Sequence, residues 1–457
     1  MLELFLTVNS AVNSVVWGPP FLFLLVGTGL YLTIRLDFLQ FKHFKLSWDK
    51  SFGRYFKRDV ENEEGVLSSF QAISSAMAAT LGVGNIAGVS TALSLGGPGA
   101  VFWMWVSALV GMATKFAEAQ LGVKFREKTG EDEYSGGVMY YIENGMGGNW
   151  KWLASLYAFF AGIAAFGIGN MVQSNTLAHA AEDGFAVPTW ITGIVVSLLV
   201  GLVVLGGIKR IGKVAEKLVP LMAAFYFIGG AVIIISHYSE IPAVMATIFS
   251  SAFNPAAAFG GFAGASVRMA VRFGIARGVF SNEAGLGAAS IVHAQARNKP
   301  TRQGMWGIWE VFIDTIVVGT ITALVVLLTG ALGTGETGAV LAAEGFTRGL
   351  PGPGGYIINI SIIIFAYTTM LTWSFYGEES WKYLFGKKIV KPYRIVFVLL
   401  LFVGAIGALE PIWLLADTLN GLMAAPNLIA LVVLAGAAVK EKDKYLGCII
   451  NVVKKKM

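Results

Sequence analysis

Charge is scarce in this chain of 457 residues: Asp, Glu, Lys and Arg make up 14% of it, against 55% hydrophobic residues, where soluble domains carry about a quarter charged. Soluble, fibrous and disordered classes are thereby excluded. Cysteine is scarcer still. Cys448 stands alone near the C-terminus, so no intramolecular disulfide can form, and neither a CxxC pair nor a Cys/His spacing for zinc exists. The four histidines are scattered, and no clustered nucleophile, acid/base pair or metal set supports a membrane-embedded enzyme. No loop recurs in the way a symmetric ion filter requires, which argues against a channel. Abundant instead are apolar runs, which give a mean hydropathy of +0.66. A helix needs about 20 mostly apolar residues to cross a bilayer, and the chain offers such runs repeatedly.

Eleven spans are expected, centred on 18–36, 66–95, 99–122, 152–181, 188–207, 217–237, 261–292, 303–332, 355–381, 393–409 and 412–438. Residues 1–16 carry Glu3 and lack a basic stretch, so they are expected to be a short surface segment and not a cleaved signal peptide. On alternate sides of these spans the basic residues segregate. The segments 35–65, 121–151, 208–217, 293–303, 382–394 and 440–457 hold 29 of the 34 Lys and Arg, and the opposite loops hold Arg348 with seven acids. The positive-inside rule then puts the N-terminus outside and the C-terminus in the cytoplasm of a multi-pass plasma-membrane protein. The excess of six positive charges is thus an orientation signal and not a nucleic-acid footprint.

Two spans look interrupted. The second contains Gly82-Val83-Gly84-Asn85 at its middle, and the seventh contains Gly278-Val279-Phe280-Ser281-Asn282-Glu283-Ala284-Gly285; with one inserted residue both read G-V-x-N-x-A-G. They cross in opposite directions. Interrupted segments at matching places of two inverted halves point to a secondary transporter with its site at the breaks. Glycine lets the backbone leave helical dihedrals, and the freed amides and carbonyls need partners that lipid does not supply. Bound ion and substrate can be those partners: amides beyond Gly84 suit a carboxylate, and carbonyls of residues 78–81 suit Na⁺ or an ammonium group. Glycines that merely allow close helix packing are the simpler alternative.

Three motifs, TLGVGNIAGV at 80–89, GGPGAVFWMWVSALVGMATK at 96–115 and RGVFSNEAGLG at 277–287, resemble the alanine/glycine:cation symporter family, the sodium:alanine symporters, departing from its usual pattern only at Ala100. The resemblance covers nearly the whole chain. It implies an all-α polytopic membrane protein with the leucine-transporter-like architecture: 11 transmembrane helices, one extra N-terminal helix and two inverted five-helix repeats. The divisions expected are 1–60 for the N-terminal segment and extra helix, 61–240 and 241–440 for the repeats, and 441–457 for a basic cytoplasmic tail. Na⁺ would be the coupling ion, with no other cofactor, and a small neutral amino acid, alanine or glycine, the substrate.

Carried over residue by residue, the resemblance implies that the Val83 and Gly84 amides, beside Asn85, hold the substrate carboxylate, with the Thr80 carbonyl at the amine. The Ala78 and Leu81 carbonyls and the Thr368 and Thr369 hydroxyls would ligate Na⁺, a hard cation that prefers oxygen, with Thr372 as an alternative. Unwound carbonyls of Gly278, Val279 and Phe280, with the Ser281 hydroxyl, would bind the ammonium group, and Asn282 and Glu283 would brace the break. Phe166 and Asn170, four apart on one helix face, are read as a pocket wall and a polar contact, or else as packing and interhelical bonding residues. Met370 and Trp373 would limit pocket volume.

Charged residues inside spans need partners. Arg268 and Arg272 are expected to line an outer vestibule or to pair with Glu310, Asp314 or Asp417, and Lys115 with Glu118 to form a local pair. Trp103, Trp105, Trp190 and Trp413 are assigned to the interfacial belt, and His293 to a cytoplasmic segment. No ionisable side chain lies between residues 66 and 95, which favours Na⁺ over H⁺ as the driving ion.

Overall fold

A backbone inside hydrocarbon must satisfy its own N–H and C=O groups, and a helix does so within one segment. The computed structural model of this chain describes residues 2–56, 63–131, 133–254, 267–407 and 410–456, and these are overwhelmingly helical. The principal helices are α1 (Leu2–Val16), α2 (Pro19–Arg35), α3 (Ser69–Thr80), α4 (Val89–Gly96), α5 (Gly99–Lys124), α6 (Lys151–Phe166), α7 (Val172–Phe185), α8 (Thr189–Val204), α9 (Gly207–Ser236) and α10 (Ile241–Phe253). After a gap come α11 (Val267–Asn282), α12 (Ala289–His293), α13 (Pro300–Val311), α14 (Thr320–Leu328), α15 (Gly338–Gly349), α16 (Pro353–Phe385), α17 (Val390–Ile406) and α18 (Glu410–Lys456). One small antiparallel hairpin, β1 (Glu127–Gly130) and β2 (Glu133–Ser135), follows α5.

Among the described residues eight helices are long and apolar enough to cross a bilayer, and α3 with the stretch Gly84–Gly96, bent by 48°, makes a ninth span. Charge segregation gave eleven. The difference has a physical origin: α8 is apolar but only 16 residues long, and α11 carries Arg268, Arg272 and Arg277. The start of the seventh expected span, 261–266, and the last residues of the tenth, 408–409, lie outside the described residues.

The N-terminal end departs from expectation. The N-terminal segment is a helix packed against α18, with Asn13 donating to Asp417 and Thr418, so it is built into the bundle. The basic tail is the continuation of α18, a single helix of 47 residues. At the centre lies α5, in contact with α2, α10, α11, α12 and α13. It approaches α13 closely because Gly304 and Gly307 face it: a Cβ there would sit 2.8 Å from the Phe116 carbonyl oxygen and 2.7 Å from that of Lys115.

Candidate substrate and ion site

The first broken helix is capped at its start by Ser68, whose hydroxyl accepts the Gln71 amide while the Gln71 side chain accepts the Ser68 amide. It runs through Thr80 and then opens at Leu81-Gly82 before a wide turn over Gly84–Gly88. Asn85, fully buried, holds the opening: its Oδ1 accepts the Gly82 amide at 3.0 Å. Across the opening stands α16. The Thr369 hydroxyl lies 3.0 Å from the Ala78 carbonyl oxygen, and one turn on the Thr372 hydroxyl lies 2.9 Å from that of Ser75. Thr368 turns away, toward Met222 and the Phe365 carbonyl. Gly82 makes the approach possible, since a Cβ there would be 2.8 Å from the Thr369 hydroxyl oxygen.

The second break sits later than the sequence indicated. Residues 278–282 are helical and the Val279 carbonyl accepts the Glu283 amide at 2.8 Å, so the carbonyls of Gly278 and Val279 are not unwound, while the Ala284 amide, next in line for the Phe280 carbonyl, goes to the Asn282 side chain. Unwinding begins at Glu283 (φ 55°) and continues through Gly285 (φ 98°) and Gly287 (φ 83°), where the backbone takes the left-handed side that glycine tolerates. Protein groups tie this segment down. Glu118 accepts the Gly285 amide at 2.9 Å, Asn427 donates to the Gly285 carbonyl at 2.8 Å and to Glu118 at 2.7 Å, and Tyr157 donates to the Leu286 carbonyl at 3.2 Å. The Asn282 side chain receives the Ala284 amide at 2.9 Å, and Glu283 accepts the Trp373 indole at 3.2 Å.

Between the breaks lies a carboxylate that the sequence reading had placed only as an arginine partner. Asp314, fully buried in a wide turn over Phe312–Gly319, accepts from Asn85 at 2.8 Å, Ser281 at 3.0 Å and Thr315 at 2.7 Å. The first span itself is uncharged, but the fold supplies it with a carboxylate from a distance of 229 positions along the chain. Deeper, Lys115 pairs with Glu310 at 3.2 Å and not with Glu118, and His293, fully buried, meets Glu310 at 3.0 Å.

A cavity of about 480 Å³ reaches the first break, lined there by Val83, Gly84, Ala87, Gly88 and Phe280. Its walls continue through Thr91, Gln173, Thr176 and Arg277 to Asn13, Gly338, Trp413 and Asp417. All lining residues from the broken helices lie beyond the first opening or before the second, so the cavity occupies only the side of the breaks remote from the basic loops. The opposite side carries a second cavity of about 420 Å³, lined by Glu133, Gln295, Glu378, Glu379, Lys382 and Arg394, which does not reach the first break, and bonds between elements lie between the two. Leu67 and Ala296 form a parallel backbone bridge, Arg126 donates to the carbonyls of Ala294 (2.8 Å), Ala296 (2.7 Å) and Glu64, and the Gln295 side chain donates to Tyr134. Lys382 joins Glu133 and Glu379 at 2.8 and 2.9 Å, and Arg394 clamps Glu378 with two bonds of 2.6 and 2.7 Å. Burial alone would raise the Glu133 carboxyl, but hydrogen bonds from Lys382 and Lys387 outweigh it and hold the group below the usual carboxylate range.

A model of the sodium:alanine symporter family matches residues 2–456. The chain belongs to this family. It is 48% identical to the sodium/alanine symporter AgcS of Methanococcus maripaludis, over 96% of this chain and 97% of that one. A Bacillus subtilis relative described as a putative sodium/proton-dependent alanine carrier, YrbD, is 36% identical over 95% of this chain and 91% of its own. Another from the same organism, the probable sodium/glutamine symporter GlnT, is 34% identical over 93% and 87%. Among solved structures the fold is shared with MhsT in complex with L-phenylalanine (TM-score 0.55, 14% identity, 83% of this chain and 98% of that one). It is shared also with the Eremococcus coleocola manganese transporter (TM-score 0.53, 14% identity, 82% and 85%). This member of the family is therefore a multi-pass membrane transporter and not an enzyme.

In this symporter, then, the residues picked from sequence divide between the cavity wall and several buried positions off it. Val83, Gly84 and Phe280 line the cavity, and Ala78 meets Thr369 without either lining it. Asn85 and Ser281 are turned toward Asp314. Thr80 and Leu81 are buried at the opening without lining the cavity. Asn170 donates to the Phe397 carbonyl at 2.7 Å and the Phe166 ring packs tilted against Tyr393 and Phe397, so both face α17 as interhelical residues. Met370 and Trp373 are buried off the cavity wall, Trp373 beside Gly169. Sequence reasoning missed Gln173 as a wall residue: it lies three positions past Asn170 on a helix that bulges at Gly167–Met171, which rotates the faces that a regular period predicts. Trp103 and Trp105 bond to Ala252 and Thr320 between helices, whereas Trp190 and Trp413 are exposed, Trp413 while also lining the cavity.

Proposed function

We propose that the chain imports a small neutral amino acid, alanine or glycine, together with Na⁺ by alternating access, with its N-terminus outside and its C-terminus in the cytoplasm. The observation that carries this reading is the pair of oxygens from two helices, the Thr369 hydroxyl and the Ala78 carbonyl, 3.0 Å apart beside an unwound turn. Such a pair suits a hard cation, which takes oxygen ligands, and rotation of the hydroxyl hydrogen frees both oxygens for it. With the Leu81 carbonyl and Thr372 near the same opening, Na⁺ would bridge α3 and α16 and stabilise the bent form of the first helix. That bent form presents Val83 and Gly84 at the foot of the cavity, where a substrate carboxylate can meet a helix start. Phe280 and Ala87 leave room for a small side chain. Of the two cavities, the one on the acidic side reaches the first break and the one on the basic side does not, which corresponds to an outward-facing arrangement under the positive-inside rule.

Proton coupling in the same fold is the second reading, and Asp314 is the observation that favours it. A buried carboxylate bonded to Asn85 and Ser281 is placed to carry a proton or to share a cation, and a relative is described as sodium/proton-dependent. The experiment is uptake of labelled alanine and glycine into vesicles of reconstituted protein. An inward Na⁺ gradient is expected to drive it at constant pH; uptake that persists without Na⁺ and follows an imposed pH gradient overturns Na⁺ coupling. Asp314→Asn separates the two roles. Uptake is expected to fall about tenfold, a change of ~1.4 kcal/mol, and its cation dependence to change; an unaltered dependence on both ions makes Asp314 structural.

A further inference from the structure

The wall of the cavity carries one more pair of opposite charges, well outside the first break. Arg277 on α11 and Asp417 on α18 face each other at 3.9 Å, beyond hydrogen-bond distance. Each keeps a buried polar atom without a hydrogen-bond partner, the Arg277 Nε and the Asp417 Oδ1. The pair is nevertheless held in place. Asn13 donates to the other oxygen of Asp417 at 3.0 Å, and the guanidinium lies over the Phe280 ring at 5.4 Å. The side chains are 28% and 18% exposed, which leaves them accessible from the cavity they line.

Polar atoms withdrawn from water and left unpaired are costly, so native structures seldom keep them without a reason. Here the two orphaned atoms have opposite hydrogen-bonding character and belong to side chains that line one cavity. A lone anion would satisfy the guanidinium and oppose Asp417, and a lone cation would do the reverse. A molecule carrying a carboxylate and an ammonium group on one carbon satisfies both. The neighbouring wall is made of Gly338 and Ala339, which limits the side chain such a molecule can bring. Phe280 connects the place to the first break, because it lies three positions after Arg277 on the same helix and lines the cavity beside Gly84.

We propose that Arg277 and Asp417 form a vestibule site that receives the zwitterion of a small α-amino acid, its carboxylate on Arg277 and its ammonium on Asp417, before the substrate descends to the first break. The proposal rests on the transport reading for its role, but its occupancy can be read without transport.

The test places a thiol on the vestibule wall, Ala339→Cys, in a full-length Cys448→Ser background. Modification by a neutral thiol reagent is followed in Na⁺-free buffer. Alanine is expected to slow modification at least fivefold, whereas propionate and alaninamide, each lacking one of the two charges, leave the rate unchanged. In that background Arg277→Gln or Asp417→Asn is expected to abolish protection. No slowing by alanine, equal slowing by either single-charge analogue, or protection that survives both substitutions overturns the vestibule site. The analogue comparison needs no charge variant, so it decides the matter even where a variant fails to fold. Protection by alanine in a protein that shows no ion-driven uptake breaks the transport reading and leaves the vestibule site standing. In vesicles, the same two variants are expected to raise the KM for alanine about tenfold with the maximal rate within twofold; a fallen maximal rate at unchanged KM marks a purely structural pair and overturns the site.

Discussion

The two breaks differ in who satisfies them. At the second, Glu118, Asn427, Tyr157 and Asn282 engage the Gly285 amide and carbonyl, the Leu286 carbonyl and the Ala284 amide, and Trp373 holds the Glu283 side chain, so these groups already have protein partners. At the first, Asn85 holds the Gly82 amide and three threonine hydroxyls, of Thr369, Thr372 and Thr322, meet the Ala78, Ser75 and Asn85 carbonyls, and the residues beyond the opening line a cavity. A segment tied to carboxylate, amide and phenol groups away from the cavity is a frame, and one held by rotatable hydroxyls beside open space is a place for ligands. Similar motifs in the sequence thus serve unequal roles, and the inequality comes from what surrounds them.

Four substitutions test that contrast, starting where the effect should be greatest. Lys115→Met removes the cation from Glu310, and losing one partner of a buried pair costs about 3–5 kcal/mol. A sharp drop in the thermal unfolding temperature of purified protein is expected; an unchanged temperature means the region around the second break is no frame. Gly82→Ala directs a methyl to within 2.8 Å of the Thr369 hydroxyl oxygen and should displace it. A shift of about 1 Å at a reacting or binding centre can cost roughly 100-fold, so Na⁺-driven uptake is expected to be nearly lost while the protein remains folded. Full uptake would show that the first break does not need its tight approach to α16.

Smaller is Thr369→Ala, which deletes one oxygen from the proposed ion pair of ligands. At ~1 kcal/mol for a single hydrogen-bonding group, the Na⁺ concentration for half-maximal uptake is expected to rise about fivefold, and an unmoved value withdraws Thr369 from the ion site. Asn170→Ala should matter least to transport. It frees the Phe397 carbonyl and lowers thermal stability modestly, with the KM for alanine unchanged; a large KM increase would return Asn170 to the substrate site.

Much of this was legible along the chain because membrane helices are written in local composition. The position of the first break followed from Gly82 and Gly84, and the Thr369–Ala78 approach from matching motifs. Legibility failed where helices deviate from a regular period or where partners come from far away. The bulge at Gly167–Met171 turned Asn170 toward α17 and brought Gln173 to the cavity. The second break moved to Glu283–Gly287 because dihedrals at Gly285 and Gly287, and not the earlier Gly278, absorb the bend. Lys115 chose Glu310 over Glu118 because α13 lies against α5 through Gly304 and Gly307, a contact with no trace in the spacing of either helix.

By itself the sequence determined a polytopic helical transporter, its family, the segregation of its basic loops and the site of its first break, since each depends on residues close together in the chain. The tertiary structure alone decided which charges meet. Asp314 reaches Asn85 across 229 positions, and Arg277 faces Asp417 from another helix. In a medium that cannot solvate charge, those long-range meetings set where a cation or a zwitterion can be held, and they are fixed by packing.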